Sequence, residues 1–292
     1  MIGIYFSNRF VECLNSKSLL AAIILFLVVH GGISAEDGKI VPLSSLPAAA
    51  QKTLQTQLVG GQVGEIEQTE ANGDILFDVT IIKSSVERSV KVGGDGTLLS
   101  VEIDVAEAPP VVRAAIQKQI GRGKIDNINK SFDDGEVSYE VDYTTLEGVE
   151  RSFTLAADGK VERLQVFLPE IPVVVRKAIE QNAANATLGD IFRTFTDGEI
   201  AYDVDITRDG KDRDFTVGAD GKLESKEMFL EELPAAARKT VTEKIGNGKI
   251  LRIDEAFEKR AGVFPFEVVG RKDGKPFNFS VGPKGRFLGM DD

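Results

Sequence analysis

Apolar and polar positions along this chain alternate between two periods, and the switch from one to the other comes four times. Pro47, Pro109, Pro172 and Pro234 each open a segment with apolar residues three, seven and eleven places on. These are Ala50, Leu54 and Leu58; Val112, Ile116 and Ile120; Val175, Ile179 and Ala183; Ala237, Val241 and Ile245. A spacing of four lays one stripe along a helix of about three turns, and a proline at the start costs such a helix nothing. Glycine-containing stretches such as Gly60-Gly61, Gly121-Arg122-Gly123 and Gly246-Asn247-Gly248 then end it.

Period two follows each helix. Ile75-Phe77-Val79-Ile81, Val137-Tyr139-Val141-Tyr143 and Ile200-Tyr202-Val204-Ile206 alternate with polar residues, among them Asp78, Glu140, Asp142, Asp203 and Asp205. This is the pattern of strands with one buried and one wet face. Val90, Phe153, Phe215 and Phe279 mark a third strand. Asp95-Gly96, Asp158-Gly159 and Asp220-Gly221 then turn into a fourth, through Leu98, Val161, Leu223 and Phe287. The fourth copy diverges: Pro265 falls within its second strand, as suits an edge position, and Gly282-Pro283-Lys284-Gly285 replaces the acidic turn.

The prolines recur at offsets of 62, 63 and 62 residues, so the period defines the folding unit. The expected architecture is α+β: four tandem repeats, each with one helix packed on a four-stranded antiparallel sheet. Their boundaries fall at 36–104, 105–167, 168–229 and 230–292, after an N-terminal signal at 1–35. The leading Leu-Pro or Ile-Pro, the central strand Ala201-Tyr202-Asp203-Val204, the strand Asp214-Phe215-Thr216-Val217 and the turn Asp220-Gly221-Lys222-Leu223 resemble PepSY-like domains, also described as β-lactamase-inhibitor-like. The resemblance covers essentially all of residues 36–292. It implies an exported protein with a helix-on-sheet unit that inhibits or binds other secreted proteins, and it carries over no catalytic residue.

The first 35 residues read as targeting sequence. Arg9 and Lys17 precede an apolar stretch from Leu19 to Val29, and Ile33-Ser34-Ala35 offers a cleavage site. That stretch is short for a membrane span and right for a secretory signal, with an uncleaved anchor as the alternative. Its removal takes away the only cysteine, Cys13, and the only histidine, His30. With Arg9, Lys17 and Glu12 also gone, 35 − 2 = 33 basic and 46 − 1 = 45 acidic residues remain, a formal charge of −12. A secreted or periplasmic chain without cysteine has no disulfides and depends on its cores. The acidic balance disfavours nucleic acid and, unless the N-terminal segment stays uncleaved, membranes.

Without histidine or cysteine, the nucleophilic triads and the usual zinc and copper ligand sets drop out. Glu140 with Asp142 and Asp203 with Asp205 lie two apart on strands, each pair on one face; an acidic solvated face is the plain reading, a carboxylate acid–base pair the sharper one. Asp203-x-Asp205 with Asp209-Gly210 has a superficial likeness to a calcium loop but lacks the closing glutamate. The expectation is therefore no enzyme and no cofactor. The candidate partner-binding face comprises Asp78, Glu140, Asp142, Phe192, Asp203, Asp205, Asp214 and Glu267, with Phe192 its only outward aromatic. Its expected partner is another exported protein or an envelope component with a basic surface. A calcium-dependent structural role in the envelope or matrix is the alternative.

Overall fold

The computed structural model describes residues 38–291 apart from 72, 73, 134, 197, 259, 261, 273 and 274. The segment expected to be a signal, with Cys13 and His30, lies outside the described residues.

The element order, a short 3-10 turn, a helix and then strands, recurs along the chain. Helices α1 (Ala48–Gln57), α2 (Pro110–Ile120), α3 (Val173–Asn182) and α4 (Ala235–Ile245) each follow a proline. The expectation of four separate four-stranded sheets is overturned. The strands are β1 (Lys39–Ile40), β2 (Gln62–Ala71), β3 (Asp74–Lys83), β4 (Val86–Gly93), β5 (Leu98–Glu102), β6 (Lys124–Asp133), β7 (Glu136–Thr144), β8 (Glu150–Ala156) and β9 (Val161–Gln165). They continue as β10 (Thr187–Thr196), β11 (Glu199–Arg208), β12 (Lys211–Gly218), β13 (Leu223–Glu227), β14 (Lys249–Ala256), β15 (Phe266–Lys272), β16 (Lys275–Pro276), β17 (Asn278–Val281) and β18 (Phe287–Asp291).

Among the described residues all 18 strands belong to one sheet, and every pairing is antiparallel. What joins the quarters is pairing across their boundaries. Ser100 of β5 stands opposite Ser131 of β6, Arg163 of β9 opposite Thr194 of β10, and Glu227 of β13 opposite Asp254 of β14. An isolated four-stranded sheet would leave two rows of backbone N–H and C=O groups unpaired, and pairing edge to edge satisfies them. Pro265 is likewise not inside a strand: it precedes β15, its carbonyl accepting the Ala256 N–H, and β15 is flanked on both sides.

One face of the sheet carries the helices. Four hydrophobic clusters lie beneath them, each joining a helical stripe to inward strand residues. Under α3, Val175 and Ile179 meet Tyr202, Val204, Ile206, Phe215 and Val217, all buried. The turn glycines dock the helix starts. At Gly221, φ is 81° and an added Cβ would lie 2.7 Å from Val174 Cγ2; at Gly285, φ is 79° and it would lie 2.6 Å from the Ala236 carbonyl oxygen. Glycine is required there both by conformation and by space.

The other face turns inward. Strands β3 and β15 are twelve positions apart, which in a flat sheet is roughly 58 Å at about 4.8 Å per strand. Yet the Arg271 guanidinium of β15 is ion-paired with the Asp74 carboxylate of β3. The sheet therefore curls until its first and last quarters touch. Register shifts in β2, β6, β10 and β14 contribute, because a bulge bends a strand and increases its twist.

Candidate functional site

Strand register assigns side chains to the helix-free face. Asp78 stands opposite Lys91, Glu140 opposite Thr154, Asp142 opposite Ser152, Phe192 opposite Asp203, Asp205 opposite Asp214, and Glu267 opposite both Asp254 and Ser280. All eight residues singled out from the sequence thus share this face, but not one environment. Asp78 is paired with Lys91 at 3.2 Å. Phe192, Asp203, Asp205 and Asp214 are close neighbours on β10, β11 and β12.

Phe192 is not the outward aromatic expected. It is 3% exposed, and the Arg163 guanidinium of β9 lies 3.5 Å from its ring centroid. Pairing of β9 with β10 makes Arg163 the diagonal cross-strand neighbour of Phe192, so the aromatic ring becomes a floor for a cation instead of an anchor for a partner. The picture of fully solvated carboxylates also needs correcting. Asp203 is half-buried and accepts a hydrogen bond from Thr216 Oγ1 at 2.9 Å. Burial pushes its carboxyl above the usual carboxylate range, against the pull of Arg163.

Sequence reading missed the centre of the cluster. Asp205 directly opposes Asp214, a repulsive arrangement by itself. Arg252 reaches across β13 from β14 and chelates Asp214 through both Nη atoms, while its Nε contacts Asp254 Oδ2 at 2.6 Å. Burial alone would lower the guanidinium's pKa, but Asp254 and Asp214 raise it by more. Glu227 completes the group from β13. Burial pushes its carboxyl up to about 7, opposed by Arg252 and reinforced by Asp214 and Asp254. The arginine was overlooked because Leu223–Glu227 (LESKE) and Lys249–Ala256 (KILRIDEA) alternate weakly, so no face could be assigned to Glu227 or Arg252.

Along its middle, this face holds Glu140, Asp142, Asp203, Asp205, Asp214, Glu227, Asp254 and Glu267 against Arg163 and Arg252. It is an acidic trough with cations embedded in it, Arg260 also reaching it through Ser280 opposite Glu267. Such a surface attracts positive charge, and its partial burial weakens solvent screening. Among the described residues, no three or more His, Cys, Asp or Glu side chains are grouped to hold a metal ion. No described helix is long and apolar enough to cross a membrane.

Comparison with known proteins gives structural likeness only. No family model matches the chain, and no curated protein matches it. Among crystal structures it is similar to a BLIP-like protein from Bacteroides fragilis, at 19% identity over 42% of this chain and 86% of that one, with a TM-score of 0.32. It is similar to a DUF2874 family protein from Bacteroides ovatus at 12% identity, over 41% and 86% of the two chains, TM-score 0.32. A third, provisionally described as a calcium-regulated periplasmic protein from Bacteroides thetaiotaomicron, is 19% identical over 42% and 93%, TM-score 0.28. None of the three is described as PepSY-like.

Proposed function

We propose that this is an exported, non-catalytic binding protein that takes a cationic segment of another exported protein or envelope component on its helix-free face. The observation that carries this reading is the convergence of carboxylates from β7, β11, β12, β13, β14 and β15 on one curled surface, where they outnumber Arg163, Arg252 and Arg260. The Leu-Pro openings and Asp-Gly turns remain the basis for placing the chain beside PepSY-like domains, and the absence of histidine and cysteine from residues 36–292 is the basis for excluding catalysis of the usual nucleophilic kinds.

Charge complementarity of this sort speeds encounter and selects partners more than it adds raw affinity. Binding should therefore weaken steeply with salt. The test is titration of residues 36–292 with a lysine- and arginine-rich peptide at low and physiological ionic strength, beside capture from exported proteins. Asp203→Asn together with Asp205→Asn retains the shapes and removes two charges. Salt-sensitive binding that this double variant weakens supports the reading. No binding of the peptide at low salt, or equal binding by the variant, rejects it.

A further inference from the structure

On the helix side, at the junction of the third and fourth quarters, a cavity of about 450 Å³ opens between the C-terminal end of α3 and the connector that leads to α4. It lies within the size range of small-molecule sites. Ile206, Phe215 and Met228 supply its apolar lining, and Gln181, Asn182, Arg208, Arg213 and Lys226 its polar one. We propose that this cavity is a binding site for a small organic anion, a carboxylate with an apolar body, whose charged end pairs with Arg208.

The cations are unequal. Arg213 is held by Glu232 at 2.8 Å, and Lys226 by Glu255 at 2.8 Å. Arg208 instead donates from Nη2 to two main-chain carbonyls, Asn182 O at 2.8 Å and Ala184 O at 3.3 Å. Those acceptors orient the guanidinium without neutralising it, so its charge stays available. A planar, oriented guanidinium is suited to a carboxylate. Of the acids at the cavity, Glu232 is engaged by Arg213 and Asp214 by Arg252, and burial holds the Glu227 carboxyl up at about 7, so the repulsion of an incoming anion is reduced below that pH. Ile206 stands opposite Arg213 as Tyr143 stands opposite Arg151 one quarter earlier, so the fold already accommodates a tyrosine at the corresponding place.

The experiment is calorimetric titration of the full mature chain with hexanoate, using hexanamide as the uncharged match and acetate as the match without the apolar body. Saturable hexanoate binding that exceeds both controls is expected. Arg208→Gln should weaken it about tenfold or more, the loss of one charge-assisted contact. Ile206→Tyr, which fills the cavity with a residue the fold already accepts at the corresponding place, should abolish it while leaving binding of a basic peptide unchanged. Hexanoate binding no better than hexanamide, or undiminished in Ile206→Tyr, overturns the proposal. Should Arg208→Gln fail to fold, the Ile206→Tyr result decides.

Discussion

Arg151 Nη2 lies 2.8 Å from Glu170 Oε1, and Oε2 of the same glutamate accepts the main-chain N–H of Phe167 at 2.9 Å. The arginine comes from β8 and the glutamate from the turn that leads into α3, so the contact ties one quarter of the chain to the next. It recurs as Arg88 with Glu107 and Arg213 with Glu232, and Arg151 and Arg213 also stack on the aromatic rings of Phe167 and Phe229. The hydrogen bond to Arg151 holds the Glu170 carboxyl below the usual glutamate range, and Arg88 does the same to Glu107.

Glu170→Ala removes a capping acceptor and a half-exposed ion pair together. The cap is worth about 1 kcal/mol and the exposed pair at most about as much again. Denaturant unfolding should therefore show a loss of about 1–2 kcal/mol. The wild-type contribution is present above the unfolded glutamate pKa and is lost as pH falls through the lowered folded value, so the variant and wild type should converge in acid.

Glu227 has the opposite sign. Its folded pKa of about 7 exceeds the unfolded value near 4.3, so the folded state holds the extra proton between them. Stability from this group is full below about pH 4 and is lost as pH rises towards 7, by up to about 3 kcal/mol. Denaturant midpoints taken at pH 5 and pH 8 should differ less in Glu227→Gln than in the wild type. An equal pH dependence in both would show that burial, reinforced by Asp214 and Asp254, does not hold the proton on Glu227.

Arg252→Ala leaves the half-buried Asp214 and the buried Asp254 without their cation. A loss of about 3–5 kcal/mol is expected by denaturant unfolding. Replacing all three together, with Arg252→Met, Asp214→Asn and Asp254→Asn, should recover most of it, since the penalty comes from unpaired charge more than from a missing contact.

Gly221→Ala and Gly210→Ala separate two costs. Both glycines have positive φ, 81° and 73°, but nothing lies within 4 Å of an added Cβ at Gly210, whereas Val174 crowds it at Gly221. Gly210→Ala should cost about 1 kcal/mol for the backbone alone. Gly221→Ala should cost clearly more, and thermal melts of the pair measure how much the turn contributes to seating α3.

Much of the local structure was legible. The stripe Val175-Ile179 and the alternation Tyr202-Val204-Ile206 announce themselves because burial on a helix or strand imposes a period on side chains. The joining of the quarters was not legible, because Ser100 opposite Ser131 is a backbone pairing to which side chains contribute no pattern. The same limit hid what those junctions bring together, the burial of Phe192 beneath Arg163 across β9 and β10 and the meeting of Arg252 with Asp214 across β13. A signal did exist for the junctions: Arg88, Arg151 and Arg213 recur at the spacing of Glu107, Glu170 and Glu232, which pairs them without any structure.

The pair Asp74 and Arg271 spans 197 residues in a sheet otherwise built from neighbouring strands. A meander without that contact would unzip from either end independently, each quarter answering only to the one beside it. With it, fraying at β15 removes a support from β3, and the reverse. The two ends of the chain are therefore one mechanical element, and damage to either should be felt at the other before it is felt in the middle.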